Sequence, residues 1–219
     1  MSKKNTIRIA VPRGRILSEL RLILKEINLL PDESLYDDNC RKLSFESNNS
    51  NIEFIKVRAF DVCTFVAFGA AQIGVAGSDI IEEFDYSEVY SPISLGIGRC
   101  RLSVAALKSL LKNEDPQMWS NIRVATKYPK ITKEFFADKG VQVEAIKLNG
   151  SVELATKLLM CRRIVDLVSS GKTLKENGLV EVEKILDVES KLIVNRSAYK
   201  TDYSNIAKII SKFKKKKKD

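Results

Sequence analysis

Apolar and polar positions in this chain follow two periods in turn. Residues 6–12 (TIRIAVP) form a short apolar run rich in β-branched residues, which predicts a buried strand. Residues 17–29 then place apolar side chains every three to four positions, the spacing of an amphipathic helix. Residues 42–45 and 52–57 flank the turn sequence SNNSN and predict a strand pair. A helix over 61–69, a strand over 72–77 (QIGVAG) and a helix from Ser78 follow, and 101–107 reads as extended. The polar stretch KSLLKNEDPQMW, with its proline, marks a boundary or excursion.

Beyond that stretch the pattern restarts. Residues 122–129 (IRVATKYP) echo IRIAVPRG, then come a helix over 131–139, a strand over 141–148, a helix over 152–160 and a strand over 163–168 (RIVDLV). VEVEKIL, KLIVNR and an amphipathic helix near 203–213 close the fold. Strands alternating with helices predict an α/β protein with mainly parallel sheets. The echo points to two similar lobes with a cleft between them, although few residues match. The expected division is lobe I over 1–101 with 181–213 returning to it, lobe II over 102–180, and a lysine-rich tail over 214–219.

Composition narrows the chemistry. The chain has 219 residues, 44% hydrophobic and 30% charged, enough for one large domain or two lobes with their own cores. No segment approaches 18 uncharged apolar residues, so no membrane span is expected. The opening MSKKNTIRIAVPRGR puts charge inside any would-be signal core, so a cytoplasmic protein is expected. Cys40, Cys63, Cys100 and Cys161 lie far apart with no CxxC pair and read as reduced thiols. There is no histidine, which excludes histidine triads, histidine-ligated zinc and imidazole general bases. An enzyme with this composition works with carboxylates, guanidiniums, backbone amides and magnesium. Net charge is +9, of which the terminal KKKKKD contributes five positive charges and one negative. That run reads as a solvated, disordered tail rather than a nucleic-acid-binding arm, and no nucleic-acid partner is expected.

Glycines and basic residues recur at strand ends. In VDLVSSGKT, Gly171-Lys172-Thr173 ends like a phosphate-binding P-loop, but the glycine that loop needs five positions earlier is Asp166. The segment is either another kind of phosphate cradle or a plain helix cap and turn. Ser169, Ser170 and Thr173 offer hydroxyls, Gly171 permits close backbone approach, and Lys172 adds charge. Asp166 suits sugar hydroxyls better than phosphate. In VPRGRIL, Gly14 sits between Arg13 and Arg15 after a strand, and arginine forks match phosphate or pyrophosphate. Arg41, Arg58 in VRAFD, Asp79 in VAGSD, GRCR and Glu153 in NGSVE occupy comparable junctions.

Taken in order, IRIAVPRGRIL, CRKLSFES, VRAFDVCTFVAFGAAQIGVAGSDI, LGIGRCRLSVA, IRVATKYPKITKEFFADKGVQVEAIKLNGSVELA, VDLVSSGKTLKENGLVEVEKIL and SKLIVNRSAYK resemble the ATP phosphoribosyltransferase family, over nearly the whole chain. The resemblance implies a two-lobed, periplasmic-binding-protein-like (type II) α/β fold with the active site in the cleft. It implies displacement at C1 of phosphoribosyl pyrophosphate by N1 of ATP, the first step of histidine biosynthesis, with magnesium carried on the pyrophosphate. A non-catalytic two-lobed binding or sensor domain is the alternative. Arg15 and Arg41 match arginines that stabilise leaving pyrophosphate, Ser169, Ser170, Gly171, Lys172 and Thr173 match the loop holding the ribose 5-phosphate, and Asp166 and Glu153 match carboxylates near the ribose. Arg13, Gly14, Arg58 and Asp79 fall in cleft-lining segments. Two positions depart from the pattern: lysine is frequent where Arg13 stands, and an acidic residue where Ser169 stands. The chain is similar to the short form, which works with a histidyl-tRNA-synthetase-like regulatory subunit in a hetero-octamer; a homodimer is expected for the chain alone.

Overall fold

The computed structural model describes residues 6–109, 111 and 121–216. The described chain divides into two units, one built from the chain up to Gly98 and from Glu189 onward, the other from Arg99–Val188.

The first unit is a six-stranded sheet with helices on both faces. Its elements are β1 (Ile7–Pro12), α1 (Arg15–Glu26), a 3-10 turn (Glu33–Tyr36), β2 (Ser44–Glu46), β3 (Ile52–Val57), α2 (Asp61–Ala67), β4 (Ile73–Gly77), α3 (Ser78–Phe84) and β5 (Val89–Ser94). The second unit then supplies β6 (Cys100–Leu107), β7 (Asn121–Thr126), α4 (Pro129–Ala137), β8 (Gln142–Lys147), α5 (Leu154–Lys157), β9 (Arg163–Val168), α6 (Lys172–Glu176) and β10 (Leu179–Val188). The chain returns to the first unit with β11 (Ser190–Asn195), α7 (Arg196–Thr201) and α8 (Tyr203–Lys216).

In the first sheet the order is β2-β3-β1-β4-β11-β5. β1 pairs in parallel with β3 and β4, whereas β2, β11 and β5 join antiparallel. The two-residue period of a strand separates the faces. Ile7, Ile9 and Val11 pack with Leu17, Leu20, Ile23 and Leu24 of α1 and with Ile206, Ile209, Ile210 and Phe213 of α8. Ala10 faces the other way, toward Val62, Cys63 and Val66 of α2 and Ile80 of α3. Gly74 on β4 lets α2 approach closely, because a Cβ there would lie 2.8 Å from both Val62 Cγ1 and Val66 Cγ2.

The second sheet has the order β10-β6-β9-β7-β8, with β8, β7 and β9 parallel and β6 and β10 antiparallel. Leu174 of α6 and Ala155 of α5 pack on Ala105, Ala125 and Ile164, and Ile131 and Phe136 of α4 pack on Val104, Val124 and Val165 across the sheet.

Three expectations change. The sheets are mixed rather than mainly parallel: three parallel strands lie inside the first sheet and at one side of the second, and the remaining strands join by antiparallel pairing. The return to the first unit comes after Val188 rather than at 181, because residues 179–188 form β10, which pairs along all of β6. The lysine run is not wholly a tail: Lys214 and Lys215 are exposed residues of α8, while 217–219 lie outside the described residues. Most of KSLLKNEDPQMW also lies outside them. Among the described residues no helix is long and apolar enough to cross a membrane.

Candidate active site

In the first unit, β1, β3 and β4 run parallel, so their carboxyl ends share one edge of the sheet, where α/β proteins place their ligands. Arg13 follows β1 and its backbone N–H donates to the carbonyl of Val57 at 3.2 Å, which sets it beside Arg58 at the end of β3. β2 runs antiparallel to β3 and therefore starts at the same edge. The N–H of Lys56 donates to Leu43 at 2.9 Å, so Arg41, two residues ahead of Leu43, also arrives there. Arg13, Arg15, Arg41 and Arg58 are all exposed. Four guanidiniums gather positive charge at one sheet edge, a surface suited to anions.

Gly14 turns the chain from β1 into α1. Its φ of 83° and ψ of −148° belong to a region that side-chain-bearing residues avoid, although no atom would obstruct a Cβ. Its carbonyl accepts from Leu17 at 3.0 Å and Ser18 at 3.3 Å, starting the helix. Arg15, the first residue of α1, places Nε 3.4 Å from Glu19 Oε1, and Glu19 Oε2 accepts the Gly98 N–H at 2.7 Å. One carboxylate thus holds both an arginine and a turn 79 residues away.

Asp79 is different. It is only 2% exposed, and its carboxylate folds back over Gly77, where a Cβ would meet Oδ1 at 2.1 Å. Its charge also helps raise the Cys63 thiol to about 12, second to the burial of that thiol. Asp79 is therefore a support of the β4–α3 junction rather than a group offered to a ligand.

In the second unit the carboxyl ends of β7, β8 and β9 likewise share an edge. The turn after β9 carries Ser169, Ser170, Lys172 and Thr173, all exposed, around Gly171. Gly171 has φ 75°, and the nearest atom to a Cβ there would be Val168 Cγ1 at 3.9 Å, so conformation rather than space calls for glycine. Ser170 Oγ accepts the Lys172 N–H at 3.4 Å. α6 has only five residues, so backbone amides and hydroxyls outweigh any helix dipole here. Lys157 of α5 donates to Asn177 Oδ1 at 2.8 Å, and Asn177 donates to the Thr173 carbonyl at 2.9 Å. These bonds tie α5, which follows Glu153, to the turn. Asp166 is half-buried in β9, and its Oδ1 accepts the N–H of Leu167 at 2.8 Å.

Arg101 braces the turn from β6. Its Nη1 donates to the Ser169 carbonyl at 3.3 Å, while Nε and Nη2 grip both oxygens of Glu181 at 2.6 and 2.5 Å. Ser103 adds a third donor to Glu181 at 2.8 Å. Hydrogen bonding from Arg101, then from Ser103, lowers the Glu181 carboxyl below its ordinary value. A depressed carboxylate stabilises the fold above the unfolded glutamate value of about 4.3, and that contribution disappears as pH falls through the lower folded value. Glu181→Gln is expected to melt a few degrees below the parent at neutral pH, with the gap closing as pH falls below about 4. Thermal melts of both proteins between pH 7 and 3 check this; a gap that widens toward acid contradicts it.

Of these braces only Arg101 was singled out from sequence, within GRCR; Glu181 and Glu19 belong to ordinary charged positions. Among the described residues, no group of three or more cysteine, aspartate or glutamate side chains comes together as a metal site.

The family model described as "HisG: ATP phosphoribosyltransferase" matches residues 58–215. The chain belongs to the ATP phosphoribosyltransferase family. An ATP phosphoribosyltransferase of Paramagnetospirillum magneticum is 53% identical over 215 residues, covering 98% of each chain. One from Rhodospirillum rubrum is 56% identical over 206 residues, covering 94% of this chain and 91% of that protein. Among solved structures, the ATP phosphoribosyl transferase (HisG:HisZ) complex from Thermotoga maritima superposes with a TM-score of 0.80 at 28% identity, over 96% of this chain and 98% of that one. The periplasmic aliphatic sulphonate binding protein SsuA of Escherichia coli gives a TM-score of 0.56 at 12% identity, over 95% and 71%. That second likeness is one of fold, the type II periplasmic-binding-protein architecture. The chain is thus a transferase, a pentosyltransferase of histidine biosynthesis, and the non-catalytic alternative has no support from its relatives.

Proposed function

We propose that the arginine edge of the first unit is a pyrophosphate-binding surface, and that the SSGKT turn of the second unit is a phosphate-binding turn. The observation that carries this reading is the arrival of Arg13, Arg15, Arg41 and Arg58 at a single sheet edge. Arg15 and Arg41 take the departing pyrophosphate, with Arg13, Gly14 and Arg58 along the same edge receiving phosphates of substrate or nucleotide. Ser169, Ser170, Gly171, Lys172 and Thr173 hold the 5-phosphate, and Asp166 and Glu153 face the ribose hydroxyls.

The chemistry suits a chain without histidine. N1 of the ATP adenine already carries a lone pair, so no base is needed to create the nucleophile. As the C1–O bond breaks, positive charge grows on the ribose and negative charge on pyrophosphate. Guanidiniums fixed beforehand stabilise that separation without reorganising. Magnesium enters this reading as a companion of the pyrophosphate substrate.

Incubating the protein with ATP, phosphoribosyl pyrophosphate and magnesium, and following the absorbance of the N1-substituted adenine, tests the reaction. No product, with or without a regulatory subunit, would overturn it. Thr173→Ala is expected to raise KM for phosphoribosyl pyrophosphate about tenfold, the loss of a hydrogen bond to a charged group, with kcat changed little. Initial rates against varied phosphoribosyl pyrophosphate show this, and a fall in kcat at constant KM would move Thr173 out of the 5-phosphate site.

The likeness to the Thermotoga complex and the 98% coverage of a full relative support a short-form catalytic subunit. Its partner in this reading is a histidyl-tRNA-synthetase-like regulatory subunit, the assembly a hetero-octamer, and the chain alone a homodimer. Relatives that are biosynthetic enzymes support a cytoplasmic location. Light scattering on the chain with and without the partner distinguishes these assemblies.

A further inference from the structure

Strand β3 buries Ile52, Phe54 and Lys56 on one face, so a lysine occupies the third place in an apolar row. Lys56 is 4% exposed. Withdrawing an ammonium from water is expensive unless its donors are satisfied. Here they meet backbone: Nζ donates to the Leu35 carbonyl at 2.8 Å and to the Asp37 carbonyl at 3.0 Å. The ammonium also lies 5.3 Å from the centre of the Phe45 ring.

The backbone of the same residue makes a further contact. Its N–H donates to the Leu43 carbonyl at 2.9 Å. Lys56 therefore holds the chain at 35 and 37 with its side chain and at 43 with its main chain. Between these anchors run residues 38–42, which include Arg41. The near side is stiffened further, since Asp37 accepts the Asn39 N–H on Oδ1 at 2.8 Å and the Cys40 N–H on its carbonyl at 3.3 Å. A segment that merely joined the 3-10 turn to β2 would need no buried charge. An apolar residue would complete the row of Ile52 and Phe54, but it would strip two carbonyls of their donor. What the lysine adds is a fixed span for a loop that carries the exposed Arg41.

We propose that Lys56 is a positioning residue that acts through Arg41: by gripping both ends of the 38–42 loop it fixes where the guanidinium meets the departing pyrophosphate. This rests on the role assigned to Arg41. A side chain displaced by about 1 Å can lose on the order of a hundredfold in rate, so a loop tether of this kind acts on turnover.

A double-mutant cycle on the full chain, assayed with ATP, phosphoribosyl pyrophosphate and magnesium, tests it. Lys56→Met keeps the length and apolar stem while removing the donors. It is expected to lower kcat about tenfold to a hundredfold, with KM for phosphoribosyl pyrophosphate within about threefold. In an Arg41→Ala background the same change should alter kcat by less than about twofold, because the group it positions is gone. Circular dichroism and melting temperature are recorded for each variant. Lys56→Gln, which retains a polar donor, enters the same cycle in case the methionine variant does not fold. An unchanged kcat in Lys56→Met, or an equal loss in both backgrounds, overturns the proposal. So does failure of both Lys56 variants to fold, which would make the residue one of stability alone. Wild-type turnover in Arg41→Ala is a separate outcome: it would refute the role of Arg41 itself, whatever the tether does.

Discussion

Arg41→Ala is expected to lower kcat about a hundredfold or more, roughly 3 kcal/mol of barrier, while KM for either substrate changes by less than about fivefold. The split follows from where the charge appears. Pyrophosphate is already anionic when bound, and exposed Arg13, Arg15 and Arg58 remain at the same sheet edge to hold it. The extra negative charge that develops as the C1–O bond breaks falls on the leaving oxygens, and a guanidinium on an anchored loop answers that increment. Steady-state kinetics with each substrate varied in turn measures it. A large rise in KM at unchanged kcat would make Arg41 a ground-state binder, and the leaving-group role would pass to Arg15. Arg41→Lys should recover only part of the loss, because a point charge does not reproduce a two-pronged donor.

Gly98→Ala is expected to destabilise the first unit by about 2–4 kcal/mol. Gly98 has φ 67°, and a Cβ on it would lie 2.2 Å from Ile16 Cδ1 and 2.8 Å from Ser190 Oγ. The isoleucine end can swing aside. Ser190 is 1% exposed and its hydroxyl cannot move far, so the backbone must yield. The Gly98 N–H is also the donor that fixes Glu19, and through Glu19 the first residue of α1. Thermal unfolding should show a drop of roughly 5–15 °C. Activity measured well below the new melting point should fall less than in Arg41→Ala, since Arg15 loses only some of its restraint. A melting temperature within a degree of the parent would mean that the turn relaxes without strain.

Elements defined by their own residues were readable in advance. β1, β3 and β9 each carry a continuous or alternating apolar run, and their observed limits lie within a residue of the expected ones. α1 ends three residues early because Asn28 adopts a positive φ, and Leu29 is buried in the turn instead of on the helix. The nine-residue helix expected at 152–160 shrinks to Leu154–Lys157. Leu159 there has φ 58°, and Leu158 and Leu159 stand 68% and 82% exposed, so apolar spacing misled. β5 was missed because Pro92 argues against a strand, yet it is an edge strand, where proline is tolerated.

The same division runs through the site. Glycines and arginines at strand ends are local signals, and PRGR, CRKL and SSGKT could be picked out from neighbours alone. Their supports could not. Arg101 finds Glu181 across 80 positions, Glu19 finds Gly98 across 79, and Lys56 finds Leu35 across 21. A periodicity argument has no access to such pairs. β10 shows it most plainly: VEVEKIL looks like a strand, but nothing in those residues says that its neighbour is β6.

The order in which the chain leaves the ribosome acquires meaning from the interrupted first unit. Residues 99–188 emerge as a continuous stretch and can complete all five strands of their sheet at once. The earlier-made residues cannot, because β11 lies between β4 and β5 and the last turns of α8 cover Ile7 and Ile9. Synthesis must reach α8 before β1 is fully enclosed. Until then that strand stays partly open, and a nonsense codon ahead of α8 would leave it so.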